Sequence, residues 1–138
     1  MSRDVYIKEI IESVNTLKRA VCSRMSNIKG VSVTPSQWAV LQITYNAKSI
    51  HIKDIAKEMS TTGSAATQLI NELENKKYLK RTPDPSDGRA TLITLTNKSN
   101  KMMNDVELVM HKSCAELFHK LSDTELKTFS RIYSKINK

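Results

Sequence analysis

Between residues 62 and 71 the chain reads Thr62-Gly63-Ser64-Ala65-Ala66-Thr67-Gln68-Leu69-Ile70-Asn71, and its polar members are short hydroxyls and carboxamides. On a helix, a carboxamide can meet adenine through two hydrogen bonds, and an alanine or a threonine methyl can touch the methyl of thymine. Gln68 and Asn71 are suited to the first contact, Ala65 and Thr67 to the second. Thr62 and Ser64 stand where a helix N-terminus offers donors to a phosphate. Further on, Asp87-Gly88-Arg89 places an arginine at the end of a turn-rich loop. Such an arginine can enter the minor groove, whose negative potential attracts it. Asp87 either holds that guanidinium or is the favoured residue of an Asp-Gly turn; the residues leave both open. Lys76, Lys77, Lys80 and Arg81 cluster between the two segments, placed for phosphates rather than bases, with a solvated charge run as the plain alternative. The plain alternative for the first segment is a solvated polar helix face.

Competing chemistries are less well supplied. Glu107, His111 and Cys114 lie at i, i+4 and i+7 of one helical stretch, but His119 or His51 would have to complete a metal site, and three such residues on one face arise often by chance. Arg19 and Arg24 flank Cys22, a basic setting of the kind reactive thiols occupy, yet no partner cysteine stands near it. No glycine-rich phosphate loop occurs, and no serine or cysteine nucleophile carries a recognisable base motif. The chain is therefore expected not to be an enzyme, and no cofactor or resident metal is expected.

Composition agrees with a polyanionic partner. The 138 residues carry 22 Lys and Arg against 14 Asp and Glu, a formal charge of +8. That length suits one domain, 1–138, with a modest core. There is no apolar run long enough to span a bilayer and no charged start followed by an apolar block, so no membrane association is expected and the expected compartment is the cytoplasm. Cys22 and Cys114 are expected to be free thiols there.

The elements that must position these residues follow from periodicity and punctuation. Ile10, Val14, Leu17, Val21, Met25 and Ile28 recur at steps of three and four, which predicts a helix over 4–28, a rod of about 37 Å. A rod of that length wants another long helix, from this chain or from a second copy. Gly30 ends it. Thr34 as cap, Pro35 at the first helical position and Gln37 closing a capping box predict a second helix to about Asn46, stapled by Val33 and Trp38. Ser49 to His51 reads as a brief strand, Ile52 to Met59 as a third helix, and Gly63 to about Lys77 as a fourth capped by Thr62. Ala66, Leu69, Ile70 and Leu73 form the buried face of that fourth helix, and Ala56 is small where it crosses the third. Two strands then span 79–96, with Asp87-Gly88 as their turn. After Thr96 the chain is helical, with Met103, Val106, Met110, Cys114, Leu117 and Leu121 in one stripe. Ser122 and Glu125 cap a last helix striped by Leu126, Phe129, Tyr133 and Ile136.

A helix-turn-helix followed by a β-hairpin, with the residues quoted so far, resembles the MarR family of winged helix-turn-helix transcriptional regulators. The match runs from Leu73-Glu74 through Tyr78-Leu79-Lys80-Arg81 to Asp84-Pro85-Ser86-Asp87-Gly88-Arg89 and Leu95-Thr96, within 34–96. The fold class expected is mainly α with a small β-hairpin: a winged helix-turn-helix at 34–96 flanked by dimerisation helices at 4–28 and 97–138. The resemblance implies a homodimer interlocked through the first and last helices, with Ile10, Val14, Leu17, Leu117, Leu121, Phe129, Tyr133 and Ile136 at the interface. It implies double-stranded DNA as partner, a pseudo-palindromic operator with half-sites about one turn (roughly 34 Å) apart or a little more. It further implies a repressor relieved by a small phenolic or anionic ligand. The alternatives are a metal- or redox-sensing regulator on the same fold, or a protein-interaction module that does not bind DNA. Three positions depart from the pattern: Gln68 stands where an arginine is frequent, Lys77 or Tyr78 where a glycine is usual, and Gly88 where an arginine is common.

Overall fold

Thr34 opens the second helix as its spacing predicts. Its hydroxyl accepts the Gln37 backbone N–H at 3.2 Å while Gln37 Oε1 accepts the Thr34 N–H at 3.2 Å, satisfying two donors that a helix start would otherwise leave orphaned. In the computed structural model, which describes residues 1–26 and 30–137, the elements run in this order. They are α1 (Arg3–Ser26), α2 (Pro35–Ala47), β1 (Ser49–His51), α3 (Ile52–Glu58), α4 (Gly63–Asn75), β2 (Leu79–Asp84), β3 (Asp87–Leu95), α5 (Asn97–Phe118) and α6 (Asp123–Ile136). The expected stripe residue Ile28 lies outside the described residues. The chain divides into two compact units, one of residues 30–106 and one of residues 1–29 with 107–138.

The 30–106 unit carries the core. Val40 and Leu41 of α2, Ile55 of α3, Ala66, Ile70 and Leu73 of α4, and Ile93 of β3 are fully buried together. A large aliphatic side chain so buried contributes about 2 kcal/mol of transfer free energy. Ala56 is also buried, the small residue expected where α3 meets α4. The strands form one antiparallel sheet in the order β1-β3-β2, so the brief strand Ser49–His51 becomes the third member of the wing.

Two chain reversals depart from the usual glycine pattern. At the end of α3, Ser60 adopts φ 52°, with Ser60 N–H donating to Lys57 O and Thr61 N–H to Ala56 O. At the end of α4, Lys77 adopts φ 61°, with Lys77 N–H donating to Glu74 O and Tyr78 N–H to Leu73 O. Both are Schellman endings, in which a left-handed residue lets the chain turn back on the helix. The first makes the turn of the helix-turn-helix; the second launches the wing. Of the two positions at which the family glycine is replaced, Lys77 is therefore the one in the left-handed conformation.

The hairpin turn lies two residues earlier than expected. Pro85 and Ser86 form it, and Asp87-Gly88 begins β3, with Asp84 paired to Asp87. The Asp-Gly signal loses to a better-equipped turn. Pro85 fixes φ at the second position, and Asp84 Oδ1 accepts the Ser86 N–H at 2.9 Å.

In the unit of the terminal segments, α1 is 24 residues long and α6 is 14. Ser122 caps α6 with a complete capping box, its hydroxyl accepting the Glu125 N–H and Glu125 accepting the Ser122 N–H. That leaves Leu121 in the turn before α6 rather than on the α5 stripe. Phe129 lies 5.8 Å from Phe118 and 6.1 Å from Tyr133 between ring centres. No described helix is long and apolar enough to cross a membrane.

Candidate nucleic-acid interface

The fourth helix separates its two faces as the residue pattern requires. Ala66, Ile70 and Leu73 are buried, while Ser64, Gln68 and Asn71 are exposed and Ala65 and Thr67 half-buried. The helix start is ordered by Thr62, whose Oγ1 accepts the Ala65 N–H at 3.1 Å. That bond uses a lone pair and leaves the hydroxyl proton available to an incoming acceptor. Thr62, Ser64, Ala65, Thr67, Gln68 and Asn71 thus share one element and its cap.

Gln68 and Asn71 are held by partners that spacing alone did not reveal. Gln68 Nε2 faces Glu72 Oε1 at 3.4 Å, a long contact, and Glu72 Oε2 accepts from Gln37 Nε2 at 2.8 Å. Gln37 Oε1 also accepts from Lys76 Nζ at 3.1 Å, and Lys76 Nζ reaches Ser32 O at 3.0 Å. The capping box of α2 and the exposed amide of α4 therefore sit on one polar chain whose centre is Glu72. The i, i+4 spacing of Gln68 and Glu72 carried a signal for this; the tie to Gln37 did not. Asn71 Oδ1 accepts from Arg81 Nη2 of β2 at 2.6 Å, a charge-assisted bond that joins α4 to the wing. Lys76, Lys77, Lys80 and Arg81 are all exposed, and Lys76 and Arg81 also bond to protein partners.

Arg89 is exposed on β3, the third residue of that strand rather than part of the loop. Asp87 does not meet its side chain; Asp87 Oδ1 accepts the Arg89 backbone N–H at 3.1 Å. The carboxylate that organises the wing tip is Asp84. It accepts the Ser86 N–H, and its Oδ2 lies 2.8 Å from His51 Nε2. The Ser86 bond first and His51 second hold the Asp84 carboxyl below its ordinary value. His51 Nδ1 also lies 3.7 Å from Asp54, so β1 and α3 share in fastening the tip.

Elsewhere the candidate chemistry stays dispersed. Among the described residues no group of three or more His, Cys, Asp or Glu side chains is gathered to hold a metal ion, Glu107, His111 and Cys114 included. Cys22 is exposed and Cys114 half-buried, and both are free thiols. Of the residues expected at a dimer interface, Ile10, Val14, Leu121, Phe129, Tyr133 and Ile136 are exposed in the single chain, Ile136 to 70%; Leu17 and Leu117 are half-buried.

A helix-turn-helix whose second helix is braced against a three-stranded wing defines a winged helix-turn-helix protein. Residues 31–90 match the model of the MarR family. The chain is 28% identical over 134 residues to the uncharacterized HTH-type transcriptional regulator YwhA of Bacillus subtilis, covering 96% of this chain and 91% of that one. A solved Multiple Antibiotic Resistance Repressor, MarR, is 25% identical, with 94% and 93% of the two chains covered and a TM-score of 0.70. A mutant MarR from E. coli complexed with operator DNA shares the fold at 23% identity, with 96% and 94% covered and a TM-score of 0.67. The family-model match over the winged domain, the regulator relative and the shared fold together support a MarR-family winged helix-turn-helix regulator.

Proposed function

We propose that the chain binds double-stranded DNA sequence-specifically as a cytoplasmic homodimer, represses from a pseudo-palindromic operator, and is released by a small phenolic or anionic ligand. The observation that carries the DNA reading is the exposed face of α4, held beside the wing by the Arg81–Asn71 bond. Thr62, Ser64, Ala65, Thr67, Gln68 and Asn71 are the reading residues, and Arg89 is the wing contact, with Asp87 holding the Arg89 backbone. The relative complexed with operator DNA has this same fold, which supports the mode of binding, and the repressor relative supports the direction of regulation. Exposed Ile10, Val14, Phe129, Tyr133 and Ile136 leave two terminal helices with apolar faces that a second copy would cover.

The test is selection from a random duplex pool at near-physiological salt with the purified protein. A two-fold-symmetric motif with half-sites about one turn apart is the expected recovery. Weak, salt-sensitive retention without a motif would reject sequence-specific binding. Adding small phenolic acids to the complex on the recovered site then tests release; a complex indifferent to all of them rejects that part of the reading.

A further inference from the structure

Arg81 occupies the third position of β2, where a basic side chain would ordinarily be assigned to a phosphate. Its guanidinium instead folds back over the reading helix. Nη2 donates to Asn71 Oδ1 at 2.6 Å, and Nε lies 3.7 Å from Glu74 Oε1. A guanidinium has donors only, so it decides which end of the Asn71 amide it meets: the oxygen faces Arg81, and Nδ2 is left to point elsewhere.

This matters for what Asn71 can recognise. A bidentate adenine contact needs the amide oxygen to accept from the base amino group while the amide nitrogen donates to N7. Here a cation already sits on that oxygen, and it opposes the approach of a second, partly positive amino group. Guanine presents acceptors alone, N7 and O6, on the same edge. We propose that Arg81 is a positioning residue that makes Asn71 a donor-only reader, so that its position in the half-site favours guanine over adenine. The assignment rests on the DNA-binding reading above. It turns a residue pair that spacing would assign to adenine and a phosphate into one unit with a different preference.

Duplex selection and salt titration with wild type, Arg81→Met, Asn71→Ala and the double variant test it. Arg81 is exposed, so the methionine keeps the stem on the surface and removes the donors together with their charge. Wild type should select guanine at one position per half-site by about tenfold over adenine. Asn71→Ala should erase that preference. Arg81→Met should move it to adenine or flatten it at that same position with the salt slope unaltered, and the double variant should match Asn71→Ala. A salt slope lower by about one in Arg81→Met, with the guanine preference intact, would make Arg81 a phosphate contact and overturn the assignment. An adenine preference at the Asn71 position of wild type would overturn it as well. Failure of wild type to select any motif overturns the DNA reading and this assignment together, an outcome distinguished by wild type alone.

Discussion

His51 Nε2 lies 2.8 Å from Asp84 Oδ2, so a residue at the end of β1 fastens the last residue of β2 at the tip of the wing. The same carboxylate receives the Ser86 N–H through its other oxygen. One side chain therefore closes the turn and ties it to the body of the domain.

That arrangement sets a pH dependence for the wing tip. The folded Asp84 carboxyl is held below its ordinary value of 3.8, first by the Ser86 N–H and then by His51. A depressed carboxyl stabilises the fold above its unfolded value, and the stabilisation is lost as pH falls through the folded one. The Ser86 amide resonance should titrate with the Asp84 carboxyl, with its midpoint below 3.8. A midpoint at or above 3.8 would show that the carboxylate is not held as described. In Asp84→Asn the titration should disappear.

The two left-handed helix ends predict gains in stability. Ser60 at φ 52° and Lys77 at φ 61° hold conformations that cost a side-chain-bearing residue about 1 kcal/mol and cost glycine nothing. Both side chains are exposed, so little contact is lost on removal. Glycine also has more freedom to lose on folding, which offsets part of the gain. Ser60→Gly and Lys77→Gly should each raise the unfolding free energy by about 0.5 kcal/mol. A lower urea midpoint in either variant would mean that the side chain contributes something its exposure does not reveal.

Local chemistry was legible wherever neighbours in sequence are also partners in space. The capping boxes at Thr34–Gln37 and Ser122–Glu125, the buried stripe Ala66, Ile70, Leu73 and the small Ala56 are all of this kind. The turn was misplaced because Asp87-Gly88 is the stronger dipeptide signal, while Asp84-Pro85-Ser86 has the side-chain bond and the fixed φ that decide the outcome. The ends of the third and fourth helices were legible to within two residues, but the left-handed conformations of Ser60 and Lys77 were not, because neither is glycine, the residue that normally marks such a reversal. Partners brought together only by folding, as with His51 and Asp84, Asn71 and Arg81, or Gln37 and Glu72, leave no trace in spacing. The bond to Asn71, and those of Lys76 to Ser32 and Gln37, give Arg81 and Lys76 protein partners where spacing pointed to phosphates.

Gln68 and Arg89 should fail in different ways. Gln68 is an exposed amide whose contact to Glu72, at 3.4 Å, is long, so its hydrogen-bonding capacity is largely available to a base. Gln68→Ala should relax discrimination at one position per half-site by about 1–3 kcal/mol and leave binding to random duplex unchanged. Arg89→Ala should weaken binding to every sequence and lower the salt slope by about one. Equal loss on all sequences from Gln68→Ala would remove it from the readers.

Gly88 offers a gain-of-function counterpart. A Cβ at this position meets nothing within 4 Å, and its φ is not in the left-handed range. Arginine should therefore be tolerated beside Arg89 on the wing. Gly88→Arg is expected to raise affinity for duplex DNA at low salt and to steepen the salt dependence by about one. An unchanged slope, with the fold intact by circular dichroism, would place this part of the wing away from the phosphates.

The terminal helices supply the test of self-association. Ile10 is 56% exposed and Ile136 70% exposed in the single chain, so an aspartate at either site costs an isolated protomer almost nothing. In the proposed dimer the same aspartate would be taken out of water without a partner, at a cost of several kcal/mol. Since each 1.4 kcal/mol is a factor of ten, Ile10→Asp and Ile136→Asp should weaken self-association by about a hundredfold or more. Analytical ultracentrifugation should find wild type as a dimer and both variants dissociating at concentrations where it does not, with helical content retained. Specific DNA affinity should fall with dimerisation, because two half-sites are then no longer held by one particle. A wild type that sediments as a monomer at every concentration, or variants that dimerise as tightly as it does, would leave these apolar faces without a second copy to cover them.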